Sequence, residues 1–420
     1  MQLGELEDGF CAADEAPEPV RIEDALLGKR VLIWGHGLEG RSAEAYISTH
    51  CQVASLDIFE GPQSGIDEDA YDVIIKSPGI REDHWGEKYT SATELFMGRF
   101  AGQTIGITGT KGKSTTASLL YQVLSRCQKR PVVFVGNIGI PCLNACDDIA
   151  DDAIVVFELS CHQLDHLRVS PHVAVFLNLY EEHLDHYDTL ERYFAAKAGI
   201  TRNQGPRDVL IAGDEVPALD TEAKVRVLPA EPPVGFEPFS MKLEGAHNQF
   251  NARVVYTIAT SLYGCDPCDV RAAIAGFKGL PHRMEHVGCV GGVDYYDDSI
   301  STIPEAAIAA LTSIPHAQTV LVGGMDRGID YSKLVEFVKS HQDYRYIFMY
   351  ATGKRIFDEV SGLSCCRYVD DLAAAVALAK QTTDAGMACV LSPAAASYGY
   401  FKNFEERGDV FRALVLGEGE

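Results

Sequence analysis

The sequence predicts an α/β protein built on mainly parallel sheets and divided into more than one domain. Three observations carry this. Short apolar runs alternate with helical stretches along the chain, the order that parallel strands with helical crossovers require. Glycine-rich turns directly follow two of these runs, at Gly35–Gly40 and Gly109–Gly112, and each leads into a helical stretch. The length of 420 residues suits two or three domains at about 150 residues each.

The elements follow in order. Residues 1–22 are acidic, with no basic stretch ahead of an apolar core, so they read as a leader rather than a secretory signal. Arg30–Trp34 is the first strand, and RSAEAYIST the helix after its glycine turn. Val53–Leu56 is a second strand ending at Asp57, and Val73–Ile75 a third running into Ser77-Pro78-Gly79. This first region closes near Phe100. A second begins at the strand Thr104–Thr108 and carries strand candidates at 132–135, 154–157 and 173–177. The Pro-rich stretch 229–238 is a loop, and 247–263 a helix. A boundary near 280–283 opens a third region with strands at 319–322, 346–350 and 388–391. The domains are therefore expected at 23–100, 101–282 and 283–420.

Composition bounds the function. Apolar residues make up 46% and charged residues 23%, an ordinary globular balance. No run approaches the ~20 apolar residues of a membrane helix. Lys and Arg total 36 against 60 Asp and Glu, a net charge of −24. That excludes a nucleic-acid binder that needs a basic face, and a polybasic membrane-surface protein. Anionic small ligands stay admissible, because local cations and helix N-termini hold phosphate inside acidic proteins. The twelve cysteines are scattered, with one CxxC at Cys265–Cys268 and no second to complete a zinc site. Reduced thiols and a cytoplasmic setting are expected.

Gly109-Thr110-Lys111-Gly112-Lys113-Ser114-Thr115 is the strongest local signal. A glycine turn between strand and helix exposes backbone N–H groups to phosphate. Lys113 neutralises the β- and γ-phosphates and Ser114 ligates Mg²⁺. The common GxxxxGK[ST] spacing is not met, since Ile107 holds the first glycine position. ATP and Mg²⁺ are the expected cofactors. The GxGxxG of Gly35, Gly37 and Gly40, with Asp57 beyond it, fits three uses: NAD, another nucleotide's diphosphate, or tight packing of strand on helix. Glu158 and His183 each follow a buried-strand run, at the strand ends where ligands bind in open α/β sheets. They are candidate metal ligands, against the plainer readings of a salt-bridging Glu and a structural His. Asn248 and Asn251 share a helix face within reach of a nucleotide, or merely cap that helix.

Assembled, these residues resemble the Mur ligase family, ATP-dependent ligases that build the peptide stem of peptidoglycan. The resemblance spans about residues 28 to 416 and rests on GTKGKST, ELSCHQL, NLYEEHLDHY, AHNQFN, LPHRME, DDSIST and LSPAAASYGYFKNFEERGDVF, in that order. The last segment is similar to that of the glutamate-adding members. The resemblance implies an N-terminal Rossmann-like domain for a UDP-sugar, a central P-loop ATPase domain, and a C-terminal Rossmann-like domain for the incoming amino acid. It implies that Gly35, Gly37, Gly40, Asp57, Ser77 and Asn137 bind the UDP substrate. Asn251, Arg283 and Asp298 join the phosphate loop as ATP contacts. Lys197 is a carbamylated lysine that positions a metal, alongside Ser114, Glu158 and His183. Thr302, Arg327, Ser397 and Phe404 bind glutamate. The implied chemistry is acyl-phosphate formation on UDP-N-acetylmuramoyl-L-alanine, then attack by glutamate's amine, in a monomer, with Lys113, Glu158, His183 and Lys197 as the catalytic set.

Two departures from the glutamate-adding pattern bear on the expected glutamate pocket. Arg327 stands where many relatives have Lys. The ND-S-K-x-T pattern reads Asp297-Asp298-Ser299-Ile300-Ser301-Thr302, so Ile300 replaces a lysine. D-glutamate is the favoured acceptor, with L-glutamate as the alternative. Folylpolyglutamate synthase, whose P-loop domain is related, and a non-catalytic nucleotide-binding scaffold are the competing functions.

Overall fold

The computed structural model describes residues 19–136, 140–182, 184–243, 245–326 and 328–417. It contains three sheets. The first is ordered β2-β1-β3-β4, with β1 Arg30–Trp34, β2 Ser55–Phe59, β3 Val73–Lys76 and β4 Tyr89–Thr90, all parallel. The second is ordered β10-β9-β8-β5-β7-β6 and is also parallel throughout. Its strands are β5 Thr104–Thr108, β6 Val132–Gly136, β7 Ile154–Glu158, β8 Val173–Phe176, β9 Val209–Gly213 and β10 Lys224–Leu228. The third is ordered β11-β12-β16-β13-β14-β15, with β11 Glu285–Val290, β12 Val293–Asp297, β13 Ala317–Val322, β14 Arg345–Met349, β15 Cys366–Val369 and β16 Ala388–Leu391. Only β11 and β12 pair antiparallel. The expected α/β class with mainly parallel sheets is borne out. The chain divides into two compact units, one reaching Phe277 and the other starting at Lys278.

The central strands β7 and β8 form where the sequence supplies Val, Ile, Ala and Phe in unbroken runs, because helices cover both faces of a parallel sheet. All five residues of β5 and of β7 are buried. One apolar core joins the first sheet's helices to one face of the central sheet, with Phe96 meeting Phe157 edge-on. A second core fills the other face under helices Lys113–Cys127 and Ala246–Thr257.

Each sheet reverses its winding once. β1 is flanked by β2 and β3, β5 by β7 and β8, and β13 by β14 and β16. Reversal opens a crevice at the carboxyl ends of those strands, where open α/β sheets bind ligands.

Several expected boundaries move. Ile22, assigned to the leader, opens the helix Ile22–Leu26 and is buried. β2 starts two residues later than expected and runs on to Phe59, so Asp57 lies mid-strand opposite Leu32, not at the strand's end. β14 stops at Met349. Tyr350 adopts φ +58° and begins the helix Tyr350–Val360. The helix expected over 247–263 is α-helical through Thr257 and π-helical over Ile258–Leu262. The hairpin β11–β12, turning at Gly291 (φ +62°) and Gly292 (φ +82°), has no counterpart in the sequence reading. β11 is an edge strand with a register shift between His286 and Gly288, so it lacks the continuous apolar run used to find strands.

Candidate active site

The loop expected to bind phosphate leaves β5 at Thr108 and enters the helix Lys113–Cys127. Gly109 takes φ +151° and Gly112 φ +85°. A side chain at 109 would press on Leu177 and Asn178, and one at 112 on the Asn251 carboxamide, with Oδ1 at 2.9 Å. Glycine is therefore required at both positions, and Asn251, buried on its helix, backs the loop directly. Asn178 braces the loop from the end of β8. Its Oδ1 accepts from the Lys111 N–H at 2.9 Å, its Nδ2 donates to the Lys111 carbonyl, and its own carbonyl accepts from the Thr110 N–H. Thr110 bonds to Tyr180 through its hydroxyl. The Lys111 side chain is exposed and paired with Glu182.

The two lysines converge on this loop. Lys113 Nζ donates to the carbonyls of Gly109 (2.9 Å) and Thr110 (3.1 Å). Lys197 Nζ, fully buried on the helix Leu190–Ala198, donates to the same Gly109 carbonyl at 2.9 Å and lies over the Tyr193 ring. Burial and then the charge of Lys113 bring the Lys197 pKa down to about 7. Ser114 Oγ donates to Glu158 Oε1 at 3.1 Å, and Glu158 is wholly buried at the end of β7. β7 lies beside β5 with Glu158 opposite Ile107, so the sheet register itself sets this carboxylate next to the loop. Thr115 follows, half-buried in the helix's first turn. A hydroxyl and a carboxylate oxygen make a hard donor pair of the kind Mg²⁺ takes.

The first sheet builds a second glycine turn. Gly35 (φ +93°) leaves β1, and Ser77 Oγ donates to its carbonyl at 2.8 Å. A side chain on Gly40 would come within 2.1 Å of that carbonyl. Gly37 sits exposed at the start of the helix Leu38–His50. Gly35, Gly40 and Ser77 are thus one packed turn at the winding reversal. Asp57 is exposed on β2 and hydrogen-bonds Tyr71. Glu39, in the same turn, accepts from Gln163 Nε2 of the central region at 2.7 Å, and burial raises its pKa to about 7.

In the second unit, Asp298 is buried past the end of β12, accepting from Ser392 Oγ (2.7 Å) and the Met284 N–H (3.2 Å). Burial raises its pKa to about 6. Arg283 is exposed. Met325, beyond Gly323-Gly324, hydrogen-bonds Ala396, one residue before buried Ser397. Thr302 is half-buried, and Phe404 begins the helix Phe404–Leu416, its carbonyl accepting from Ser299 Oγ. Asn137, His183 and Arg327 lie outside the described residues.

Residues 107–231 match the model of the Mur ligase middle domain. A UDP-N-acetylmuramoyl-L-alanine–L-glutamate ligase from a Micromonospora strain is 34% identical, covering 94% of this chain and 98% of the relative. A UDP-N-acetylmuramoylalanine–D-glutamate ligase from Aquifex aeolicus is 32% identical, over 92% of this chain and 98% of its own length. The chain belongs to the Mur ligase family. The crystal structure of the UDP-N-acetylmuramate–alanine ligase from Thermotoga maritima shares the fold, with TM-score 0.58 at 18% identity over 91% of this chain and 98% of that one.

Within this Mur ligase, sequence reasoning assigns no role to Asn178, Glu39 or Gln163. Asn178 carries a readable signal, a carboxamide directly after a buried strand. The Glu39–Gln163 contact joins residues far apart in the chain and carries none.

Proposed function

We propose that this chain joins glutamate to UDP-N-acetylmuramoyl-L-alanine with hydrolysis of ATP to ADP and phosphate. The observation that carries the reading is the convergence of Lys113, Lys197, Ser114 and Glu158 on one glycine loop. The reading gives the Gly35–Gly40 turn with Ser77, Asp57 and Asn137 to the UDP moiety. ATP goes to residues 109–115 with Asn251, and to Arg283 and Asp298. Glutamate goes to Thr302, Arg327, Ser397 and Phe404.

The first step sets the substrate's alanine carboxylate against the γ-phosphate. A new O–P bond forms as the bond to the ADP oxygen breaks, giving an acyl phosphate. The second step sets glutamate's amine on that carbonyl. The C–N bond forms, inorganic phosphate leaves, and the amine gives up a proton. Both reactants of the first step are anions, so the protein's task is to spread charge and hold geometry. Lys113 exchanges its two carbonyl partners for phosphate oxygens. Ser114 and Glu158, with His183, are the residues that would hold Mg²⁺, which when bound neutralises phosphate charge. A Lys197 pKa near 7 leaves much of its amine neutral at physiological pH, the form that reacts with CO₂ to give a carbamate.

D-glutamate, as in the Aquifex relative's name, is the first reading of the acceptor. A second, L-glutamate, is favoured by Ile300 standing where the glutamate-adding pattern has lysine, and by the name of the Micromonospora relative. Phosphate release assayed with each enantiomer decides between them. Release must require both UDP-N-acetylmuramoyl-L-alanine and one glutamate enantiomer. Turnover with neither, but with another amino acid, rejects the function.

A further inference from the structure

His282 is an L-residue at φ +60° and is almost fully buried. Its Nδ1 lies 2.7 Å from Asp297 Oδ2. An ionised carboxylate only accepts, so Nδ1 carries the proton in this contact. The other Asp297 oxygen accepts from the Ser299 N–H at 2.9 Å. The His282 backbone is tied as well. Its N–H donates to Glu285 Oε2 (2.9 Å), and its carbonyl accepts from the Ile300 N–H (3.1 Å). The helix Phe404–Leu416 closes over the pair at Gly408, where a Cβ would stand 2.1 Å from His282 Nδ1 and 2.5 Å from Asp297 Oδ2. Arg283 follows His282 in the chain, and Asp298 follows Asp297. One buried contact therefore sets the register of the two segments that carry them.

We propose that the His282–Asp297 pair is the positioning element for the nucleotide contacts of the second unit, holding Arg283 and Asp298 in register without touching nucleotide itself. The proposal rests on the reading that Arg283 and Asp298 contact ATP. An amide at 297 would pair with a neutral imidazole, whereas the carboxylate makes a charge-assisted bond about twice as strong as a neutral one. Register in this protein is thereby coupled to the protonation of His282. The charged groups facing His282 are Asp297, Glu285 from β11, and Asp409 from the covering helix, at 3.9 Å from Nε2. Arg412 pairs with Glu285, and Arg407 lies near Asp297. The hydrogen bond to Asp297 is the main influence and raises the His282 pKa, against burial, so the contact favours the charged imidazole, which is lost as pH rises.

The test is calorimetric binding of ADP with Mg²⁺ to the full-length protein between about pH 6 and pH 9, with thermal melts as the check on folding. Wild-type affinity is expected to fall about 3- to 10-fold as His282 deprotonates. Asp297→Asn is expected to keep near-wild-type affinity at neutral pH and to flatten the alkaline fall. His282→Ala is expected to weaken ADP about tenfold, a change of ~1.4 kcal/mol, with binding of UDP-N-acetylmuramoyl-L-alanine unchanged. Where His282→Ala fails to fold, the Asp297→Asn profile carries the test. A flat wild-type profile, or an Asp297→Asn profile that follows the wild type, overturns the proposal. Arg283→Ala separates the two readings. If it leaves ADP affinity intact, the nucleotide assignment fails. If it weakens ADP while His282→Ala does not, only the positioning role fails.

Discussion

Glu39 and Lys197 are driven towards neutrality from opposite directions, and both by burial. Glu39 holds its proton to about pH 7 in the folded chain, whereas an unfolded glutamate releases it near its ordinary value. Between those values the folded state binds more protons, so this group lowers stability as pH rises, and the cost is complete above pH ~7. Glu39→Gln removes the titration and can keep the contact with Gln163. Melts should show the variant more stable than wild type at pH ~8, by about 2–4 °C for each kcal/mol recovered, and indistinguishable near pH ~4. Equal melts at the higher pH would count against a buried, neutral Glu39. Lys113 answers to a different readout, since in the proposed function it supplies charge to the reaction. Lys113→Ala should lower turnover about 10²- to 10³-fold and leave the dissociation constant for UDP-N-acetylmuramoyl-L-alanine unchanged, because the Gly35–Ser77 turn stands on another sheet. Loss of both together would contradict the separation of the two sites.

At the scale of elements, each candidate site sits where a parallel sheet reverses its winding. The strand–turn–helix at β5 shows how local sequence and long-range register divide the work. Gly109 and Gly112 make the turn, while the pairing of β5 with β7 brings in Glu158 and the packing of the helix Ala246–Thr257 brings in Asn251. Gly112→Ala tests the turn alone. A left-handed alanine costs about 1–2 kcal/mol, and its methyl would crowd Asn251. Nucleotide affinity should fall about tenfold in a titration that leaves UDP-substrate binding unaffected. Unchanged affinity would show that the loop reshapes freely. The elements the sequence disclosed were those with uninterrupted apolar runs, such as β5 and β7. The edge hairpin β11–β12 and the start of β2 escaped, because half-exposed strands mix polar residues into the pattern and draw their stability from neighbours, while β9 is an unbroken buried run that was not among the expected strands.

Across the whole molecule, the net charge of −24 is at odds with three anionic ligands. In the proposed function a few local cations and the backbone N–H groups of glycine turns hold these ligands, so an acidic surface and anion recognition can coexist. The boundary between the two units, Phe277/Lys278, leaves Lys278 exposed between buried Phe277 and Leu280. Brief trypsin treatment should cut first after Lys278 and leave two resistant fragments on a gel, as exposed connections between compact units do. Early fragmentation inside either unit would argue against the division. The sequence by itself determined the α/β class, the glycine turn between β5 and its helix, and the family, because each is written in contiguous residues as apolar runs and glycine turns. Only the tertiary structure decided that Lys197 shares the Gly109 carbonyl with Lys113, that Glu39 is tied to Gln163, and that His282 is locked to Asp297. Those contacts join residues apart in the chain, and no local pattern encodes which of them the fold brings together, or the burial that moves the Glu39 and Lys197 pKa values.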